Sequence, residues 1–323
     1  MTFESRIDLQ DFSGAIAAIK NEIGKIIVGQ HETIELLLTA LLADGHVLIE
    51  GVPGVAKTLS AKLLARTINT DFSRIQFTPD LMPSDVLGTS VFNPKTTDFE
   101  FKRGPIFSNI VLVDEINRAP AKTQSALFEV MEERQVTIDG VTYPMSTPFV
   151  VLATQNPVEH EGTYRLPEAQ LDRFLFKIVV GYPSAEQEIE ILRGHHQRHN
   201  LAEAIAALQP VLQPAQLADL RLKTQQVHVE DKLLEYMAKI VLETRQNKSL
   251  FLGASPRASI ALLHSTKALA AIRGRDFITP EDVQALAPAV LRHRIMLTPE
   301  REMEGNSTDD VVAQILQKIE VPR

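Results

Sequence analysis

The first 180 residues alternate between short apolar runs and segments with helical spacing. Continuous apolar runs are typical of strands that are buried on both faces of a parallel sheet, and they occur here at 47–49, 110–113 and 149–153. A last strand is predicted at 174–180. The segment 72–77 is a further predicted strand. Apolar residues recur at helical spacing over 11–27, 31–43 and 121–133. Strands that alternate with helices predict an α/β fold with a doubly wound parallel sheet.

Two stretches interrupt this alternation with the pattern of β-hairpins. Short apolar runs at 89–92 and 99–102 lie in a segment rich in Pro, Gly, Asp and Asn, which predicts a hairpin inserted in a loop or helix. A second pair, 135–138 and 141–145, flanks Asp139-Gly140, a dipeptide favoured in tight hairpin turns.

The pattern changes after Tyr182-Pro183, where helical periodicity takes over. The predicted helices cover 184–199, 214–224, 230–247, 256–273, 280–293 and 308–319. Two of them begin with capping sequences, Ser184-x-x-Gln187 and Thr279-Pro280-Glu281-Asp282. We therefore predict two domains, an α/β domain over 1–182 and an all-helical domain over 183–323.

The composition excludes several classes of protein. With 44% hydrophobic and 23% charged residues, the 323-residue chain is typical of a globular protein. It has no cysteine, which excludes disulfides and thiolate chemistry, and no apolar run long enough to span a membrane. The net charge of −8, with no dense Lys/Arg block, makes nucleic acid an unlikely partner, although a basic loop in a ring's pore could still bind DNA. The N-terminus lacks signal-peptide character, so we expect a cytoplasmic protein.

The segment 51–58, Gly-Val-Pro-Gly-Val-Ala-Lys-Thr, lies between a predicted strand and a predicted helix. Glycines there let backbone N–H groups curl around an anion, and the following helix directs its positive end at the same point. Lys57 would contact the β- and γ-phosphates of a nucleotide, and Thr58 would ligate Mg²⁺. Ala56 stands where the phosphate-loop pattern has glycine, and we expect it to begin the helix with negative φ. The simpler interpretation of the segment alone is a tight turn before an ordinary lysine.

Polar residues follow the other predicted strands. Asp114 and Glu115 come directly after 110–113, where an aspartate can hold Mg²⁺ and a glutamate can polarise an attacking water. Asn156 follows 149–153 and could orient that water, although a loop asparagine before proline more often caps a turn. Arg173 and Arg257 could each neutralise phosphate charge, although most surface arginines have no such role. Three histidines, at 195, 196 and 199, more simply form a solvated helix end than a metal site.

Five motifs together carry a resemblance to a known family. They are G-V-P-G-V-A-K-T, V-D-E-I-N-R-A-P, A-T-Q-N-P, L-P-E-A-Q-L-D-R-F and G-A-S-P-R-A. The chain resembles the MoxR family of AAA+ ATPases over nearly its whole length, and Ala56 in the phosphate loop is typical of that family. The resemblance implies an AAA+ P-loop core with a helical lid. The two hairpins resemble the helix-2 insert and the pre-sensor-1 hairpin of the clade that includes magnesium chelatase and MCM helicases.

The resemblance also implies a role for each motif residue. Lys57 and Thr58 would be Walker A, with Asp114 and Glu115 as Walker B. Asn156 would be sensor 1, and Arg173 an arginine finger that acts on a neighbour's nucleotide. Arg257 would be sensor 2, coupling the lid to the γ-phosphate. Arg118 is typical of the family, without an assigned role. The residues expected to bind ATP are Gly29, Gln30, Gly51, Val52, Pro53, Gly54, Val55, Ala56, Lys57, Thr58, Leu59 and Asp114; Thr58 and Asp114 would hold Mg²⁺, and Glu115, Asn156, Arg173 and Arg257 would serve catalysis.

The implied function is ATP hydrolysis by an oligomeric ring, a homo-hexamer, that remodels or matures client protein complexes. Partners of such proteins often carry a von Willebrand factor A domain. Two alternatives remain open at the level of sequence: a DNA-handling motor of a related clade, and a nucleotide switch with negligible turnover. Intact Glu115 and Arg173 disfavour the switch, since a pure switch needs neither.

Overall fold

The computed structural model describes residues 9–156, 164, 166–197 and 200–322. The strands and helices of the first part of the chain are, in order, α1 (Gln10–Gly24), α2 (His31–Leu42), β1 (His46–Gly51), α3 (Lys57–Thr67), β2 (Phe72–Gln76), α4 (Pro83–Leu87), β3 (Gly88–Asn93), β4 (Asp98–Arg103), β5 (Ile110–Asp114), α5 (Ala121–Glu133), β6 (Gln135–Ile138), β7 (Val141–Pro144), β8 (Val150–Gln155), α6 (Glu168–Leu171) and β9 (Phe174–Val180). A short 3₁₀ turn, Ile116–Arg118, follows β5.

The second part is helical with one small sheet. Its elements are α7 (Ala185–Gln197), α8 (Leu201–Ala207), α9 (Pro214–Gln225), α10 (Asp231–Gln246), β10 (Leu250–Leu252), α11 (Pro256–Ile272), α12 (Pro280–Leu291), β11 (Met296–Leu297), α13 (Pro299–Met303) and α14 (Thr308–Lys318). The antiparallel pair β10–β11 was not predicted, so this part is helical but not all-helical. The last two residues of the predicted helix 184–199 lie outside the described residues. Within the ranges that the structure describes, no helix combines the length and apolar character needed to cross a membrane.

The predicted doubly wound sheet is confirmed. Five strands lie in the order β2-β5-β8-β1-β9, and every neighbouring pair is parallel. The central strands bury both faces, because Val111 and Val113 pack on the side of α5, whereas Ile110 and Leu112 pack on the opposite side with α1 to α3. All five strands therefore end at one edge of the sheet, the carboxyl edge, and begin at the other, the amino edge.

Both predicted hairpins are present as antiparallel pairs, β3–β4 and β6–β7. They contact each other through a 2.5 Å hydrogen bond from the Ser90 hydroxyl to Asp139 and through the rings of Phe101 and Tyr143, whose centroids lie 4.5 Å apart. The β3–β4 hairpin exposes Phe92 and Phe99 to solvent. The two insertions thus form one projecting unit.

The helical part packs on α1, α2 and β9, and its apolar residues join the core on that face of the sheet. At the start of α12, Asp282 caps the predicted Thr279 helix start and is fully buried. Arg273 and Arg275 both pair with Asp282, and Arg273 also contacts Glu35 on α2. These charges connect the helical part to the α/β part.

The outer strand β9 is covered along its free edge by side chains in place of another strand. Arg292 donates to the Lys177 carbonyl at 3.1 Å, and His293 donates to the Phe174 carbonyl at 2.9 Å. Arg294 donates to the Phe174 carbonyl at 2.6 Å. An uncovered strand edge is open to pairing with another chain, and these three consecutive residues close it.

His46 at the start of β1 gives the fold a dependence on pH. Burial of the ring, together with the positive charge of Arg134, lowers the pKa of His46 to about 4, although the hydrogen bond to the Met131 carbonyl opposes this shift. The neutral ring accepts the Val151 N–H at Nδ1 and donates to the Met131 carbonyl from Nε2. Between the unfolded pKa near 6.5 and about 4, the unfolded chain binds more protons. We therefore expect the free energy of unfolding to fall by up to roughly 3 kcal/mol through this site as pH drops across that window.

Denaturant unfolding at pH 7.5 and at pH 5 measures this effect. In His46→Gln, which cannot be protonated, the difference between the two pH values should shrink. A variant with the same difference as the wild type would contradict the assignment. The buried His293, whose pKa is also lowered by burial, contributes in the same direction in both proteins.

Candidate nucleotide site

The segment 51–58 forms the loop between β1 and α3, at the carboxyl edge of the sheet. Gly54 has φ +87°, and open space surrounds the position that a Cβ would take there. Gly51 is required for packing, since a Cβ would lie 2.7 Å from the Val180 carbonyl of β9. The Lys57 ammonium donates a hydrogen bond to the Gly51 carbonyl, so that its charge lies over the loop. This arrangement suits the predicted phosphate-binding loop.

The expectation for Ala56 is wrong. This residue is in the left-handed conformation, with φ 57° and ψ 23°, and precedes the helix, which begins at Lys57. A Cβ in this conformation costs roughly 1–2 kcal/mol, which is why glycine is usual at this position of the loop. The Ala56 carbonyl accepts from the Ser60 N–H and hydroxyl, so α3 compensates part of that cost.

A cavity of about 440 Å³ opens beside the loop, between the α/β part and α7. Gln30 reaches across its base and donates from Nε2 to the Val55 carbonyl at 2.8 Å. The residues predicted to bind nucleotide that line the cavity are Gly29, Gln30, Gly54, Val55, Ala56 and Leu59. A further apolar set lines it from other elements: Ile26, Ile27, Val180, Tyr182, Ile191 and Leu201. An apolar cleft with a few polar groups, next to a phosphate loop, suits an adenine base.

Two polar residues of α7 that line this cavity, Gln187 and His195, were not predicted to bind nucleotide. Gln187 was considered only as part of a helix cap, and that cap is present, with Oε1 accepting the Ser184 N–H at 2.9 Å. Its Nε2 also contacts the Gly29 carbonyl at 3.4 Å. A Cβ on Gly29, which has φ +74°, would collide with this side chain. The first helix of the lid is therefore fitted against the residues expected to lie beside the base. His199 of the histidine group lies outside the described residues.

Asp114 is the last residue of β5 and is 6% exposed. Its Oδ1 accepts the Thr154 hydroxyl at 3.1 Å, and its Oδ2 accepts Arg74 Nε at 2.6 Å. Thr58 lies across at the first turn of α3, so the edge offers a carboxylate and a hydroxyl, hard oxygen ligands of the kind that Mg²⁺ prefers. The donor set fits the predicted ion, and Arg74 balances the buried charge of Asp114.

Glu115 has a left-handed backbone, with φ 56° and ψ 52°. Its N–H donates to Thr154 Oγ1 at 3.0 Å, and its carboxylate accepts from Gln76 Nε2 at 2.8 Å. Arg118, which had no predicted role, pairs with the same carboxylate at 3.1 Å. Strained conformations of this kind are concentrated at functional sites. Glu115 is thus held at the carboxyl edge by groups from β2, β8 and the turn that follows β5.

Asn156 directly follows β8, which lies between β1 and β5 in the sheet. Because parallel strands end at the same edge, Asn156, which is 8% exposed, follows a strand that lies between the strand before the phosphate loop and the strand that ends at Asp114. The structure therefore brings the phosphate loop, Asp114, Glu115 and Asn156 together, as the sequence predicted.

The two predicted arginines lie at the other edge. Arg173 precedes β9, whose first residue pairs with His46 at the start of β1. The six residues of β1 place this point about 17 Å from the phosphate loop, at roughly 3.3 Å per residue. Arg257, in the first turn of α11, lies beside Arg173, and both line a second cavity, of about 500 Å³, at the amino edge. Arg257, which is predicted to couple the lid to a γ-phosphate, therefore lies at the edge opposite the phosphate loop of its own subunit.

Comparison with known proteins identifies the family. The family model for the ATPase family associated with various cellular activities (AAA) matches residues 46–176, and that for an AAA lid domain matches 242–315. The chain is 46% identical to Chaperone MoxR1 of Mycobacterium tuberculosis over 311 residues, which cover 94% of this chain and 81% of the relative. It belongs to the MoxR family of AAA+ ATPases. It is also 29% identical to Protein MoxR of Methylorubrum extorquens, with 97% of each chain covered. A crystal structure of an ATPase candidate from Cytophaga hutchinsonii superposes with a TM-score of 0.89 at 44% identity, covering 97% of this chain and 96% of that one.

Membership of the MoxR family confirms the predicted fold class, a parallel-sheet AAA+ core with a helical lid, and the predicted activity, ATP hydrolysis. The carboxyl edge of the sheet holds the groups that are predicted to bind and hydrolyse a nucleotide, and the amino edge holds Arg173 and Arg257.

The left-handed Ala56 leads to a test of the loop. In Ala56→Gly we expect a free energy of unfolding that is unchanged or up to about 1 kcal/mol higher, since relief of the Cβ strain exceeds the added freedom of the unfolded chain. Ala56→Val, which puts a β-branched side chain at positive φ, should lose more than 1 kcal/mol. Denaturant unfolding compares the three proteins. A stable Ala56→Val protein would show that the loop does not keep the conformation described here.

Proposed function

We propose that this protein is an ATP-hydrolysing, ring-forming remodeller of client protein complexes, with Mg²⁺ at Thr58 and Asp114. The observation that supports a ring is the position of Arg173, which lies at the amino edge, about 17 Å from the phosphate loop of its own subunit. An arginine there can reach a nucleotide only if a second subunit presents one. The hydrolytic site is then completed between neighbours, and a closed ring, proposed here as a homo-hexamer, gives every subunit such a neighbour.

Each residue at the carboxyl edge has a role in this proposal. The loop N–H groups and Lys57 bind the phosphates, and the apolar cavity beside Gly29 and Gln30 takes the base. Glu115 accepts hydrogen bonds from Gln76 and Arg118, and its carboxylate polarises the attacking water, which Asn156 orients. Mg²⁺, when bound, neutralises phosphate charge.

Arg173 and Arg257 act together on the neighbour's γ-phosphate in this proposal. Their guanidinium groups are within reach of a common carboxylate, so the lid and the core present two positive charges at one place. A planar guanidinium recognises phosphate oxygens in pairs, and charge placed there stabilises the transition state. The lid thus responds to the nucleotide of the next subunit.

The proposed work on proteins is supported by the name of the Mycobacterium relative, a chaperone, and by the projecting hairpins with their exposed Phe92 and Phe99. A partner with a von Willebrand factor A domain and a cytoplasmic location remain proposals from the family resemblance and the composition. DNA stimulation of the ATPase activity would instead favour the DNA-handling motor. Binding without turnover would favour the switch.

The phosphate loop and Glu115 have separable roles, which two variants test. Lys57→Ala should abolish ATP binding, because it removes the charge that holds the phosphates. Glu115→Gln should bind ATP near normally and lose turnover, because a neutral amide cannot polarise water. Equilibrium binding of a fluorescent ATP analogue and phosphate release measure the two effects. Near-normal affinity in Lys57→Ala would refute the phosphate-loop assignment.

Mixing subunits tests whether Arg173 acts in trans. Arg173→Ala should bind ATP normally and hydrolyse it about 10³–10⁵-fold more slowly, the usual effect of an arginine finger. Lys57→Ala subunits cannot bind ATP but keep their own Arg173, so mixing the two inactive proteins should restore part of the phosphate release. If subunits exchange and the mixture stays as inactive as the sum of its parts, Arg173 does not act on a neighbour.

A further inference from the structure

We infer that Glu132 is a positioning residue that holds Arg173 and Arg257 together as one phosphate-binding pair. This inference rests on the proposed function, since the pair is taken to act on the neighbour's nucleotide. Nothing in the sequence patterns selected Glu132, which is one of two adjacent glutamates at the end of the predicted helix 121–133.

The carboxylate of Glu132 contacts one arginine from each part of the chain. Its Oε1 accepts Arg257 Nη2 at 2.8 Å, and its Oε2 lies 3.5 Å from Arg257 Nη1. The same Oε2 lies 3.6 Å from Arg173 Nη1. Arg173 Nη1 also donates to the Phe128 carbonyl at 2.5 Å, one helical turn earlier in α5. The end of α5 therefore contacts Arg173 through the Phe128 carbonyl and the Glu132 carboxylate, and it contacts Arg257 through the Glu132 carboxylate.

A second contact fixes the backbone next to each arginine. The carboxylate of Asp172, which precedes Arg173, accepts the hydroxyl of Ser255 at 2.8 Å, and Ser255 caps α11 two residues before Arg257. The other oxygen of Asp172 accepts Arg294 Nε at 2.7 Å. The backbone segments that carry Arg173 and Arg257 are thus linked across the boundary between core and lid, and Glu132 links their guanidinium groups.

Charge explains why such a carboxylate is needed. Two guanidinium groups side by side repel each other, and one carboxylate between them leaves a net charge of +1 while keeping both in place. The contribution to folding is small, because the side chains of Arg257 and Glu132 are 51% and 37% exposed and exposed ion pairs stabilise little. The main effect of the arrangement is therefore geometric, because it holds the guanidinium groups of Arg173 and Arg257 side by side, where both could bind one phosphate.

The test compares Glu132→Gln with Glu133→Gln. Both variants remove one negative charge from the end of α5, and both residues are exposed, but only Glu132 contacts the arginines. Glu132→Gln should lower kcat about tenfold with an unchanged KM and unchanged ATP affinity, whereas Glu133→Gln should match the wild type. Glu132→Asp, which keeps the charge, should retain more activity than Glu132→Gln. In an Arg257→Ala background, Glu132→Gln should cause a smaller further loss, because one of its two targets is gone.

The chain has no native cysteine, so spin labels on introduced cysteines can test the positioning role of Glu132 without measuring hydrolysis. Spin labels at Glu129→Cys on α5 and Ile260→Cys on α11, both exposed positions, report the separation of core and lid. We expect a broader distance distribution in Glu132→Gln and no change in Glu133→Gln. Glu132 is not a positioning residue if the two glutamine variants agree in both kcat and label distances while Arg173→Ala is inactive, and in that case the proposed function still holds. If Arg173→Ala hydrolyses ATP normally, the proposed function fails and the positioning role fails with it.

Discussion

The direction of the five parallel strands is the constraint on which the rest of this structure depends. Because every strand ends at the same edge, the phosphate loop, Asp114, Glu115 and Asn156 meet there although 105 positions separate Gly51 from Asn156. The same constraint places the residue before β9 at the opposite edge, so Arg173 cannot join them. A site that needs both sets of groups has to be divided between two subunits.

Buried hydrogen bonds join several elements at the amino edge of the sheet. His46, Met131 and Val151 are linked through one buried imidazole, and Arg294 is buried between Asp172 and the first carbonyls of β9. The lid contributes Arg294 and Ser255 to this surface, and the core contributes Asp172 and Glu132. A change in the position of the lid would thus be transmitted to Arg173, the residue that we propose acts on the nucleotide of a neighbouring subunit.

The sequence predicted the elements that follow from local patterns. The apolar runs gave the strands, Asp139-Gly140 gave the second hairpin, and Thr279-Pro280 gave the start of α12. It could not predict β10 and β11, which are three and two residues long and pair across more than 40 intervening positions. Nor could it find Gln187, Thr154, Arg74 and Glu132, because their contacts depend on which elements become neighbours. The role of Arg257 was predicted from the resemblance alone, and only the packing of α11 against the end of α5 shows which edge it occupies.

Two residues at the carboxyl edge, Ala56 and Glu115, have left-handed backbones without being glycine. Each costs free energy that the surroundings must offset. For Ala56 the offset comes from the first turn of α3, which hydrogen-bonds the Ala56 carbonyl; for Glu115 it comes from the Thr154 hydroxyl, which accepts the Glu115 N–H and donates to Asp114. The strained residues thus lie on either side of the place where phosphates and water would meet, and each is held by the element that also orients a reactive group. The strain is consistent with a site whose backbone is fixed before the nucleotide arrives, so that binding energy is not spent on ordering it.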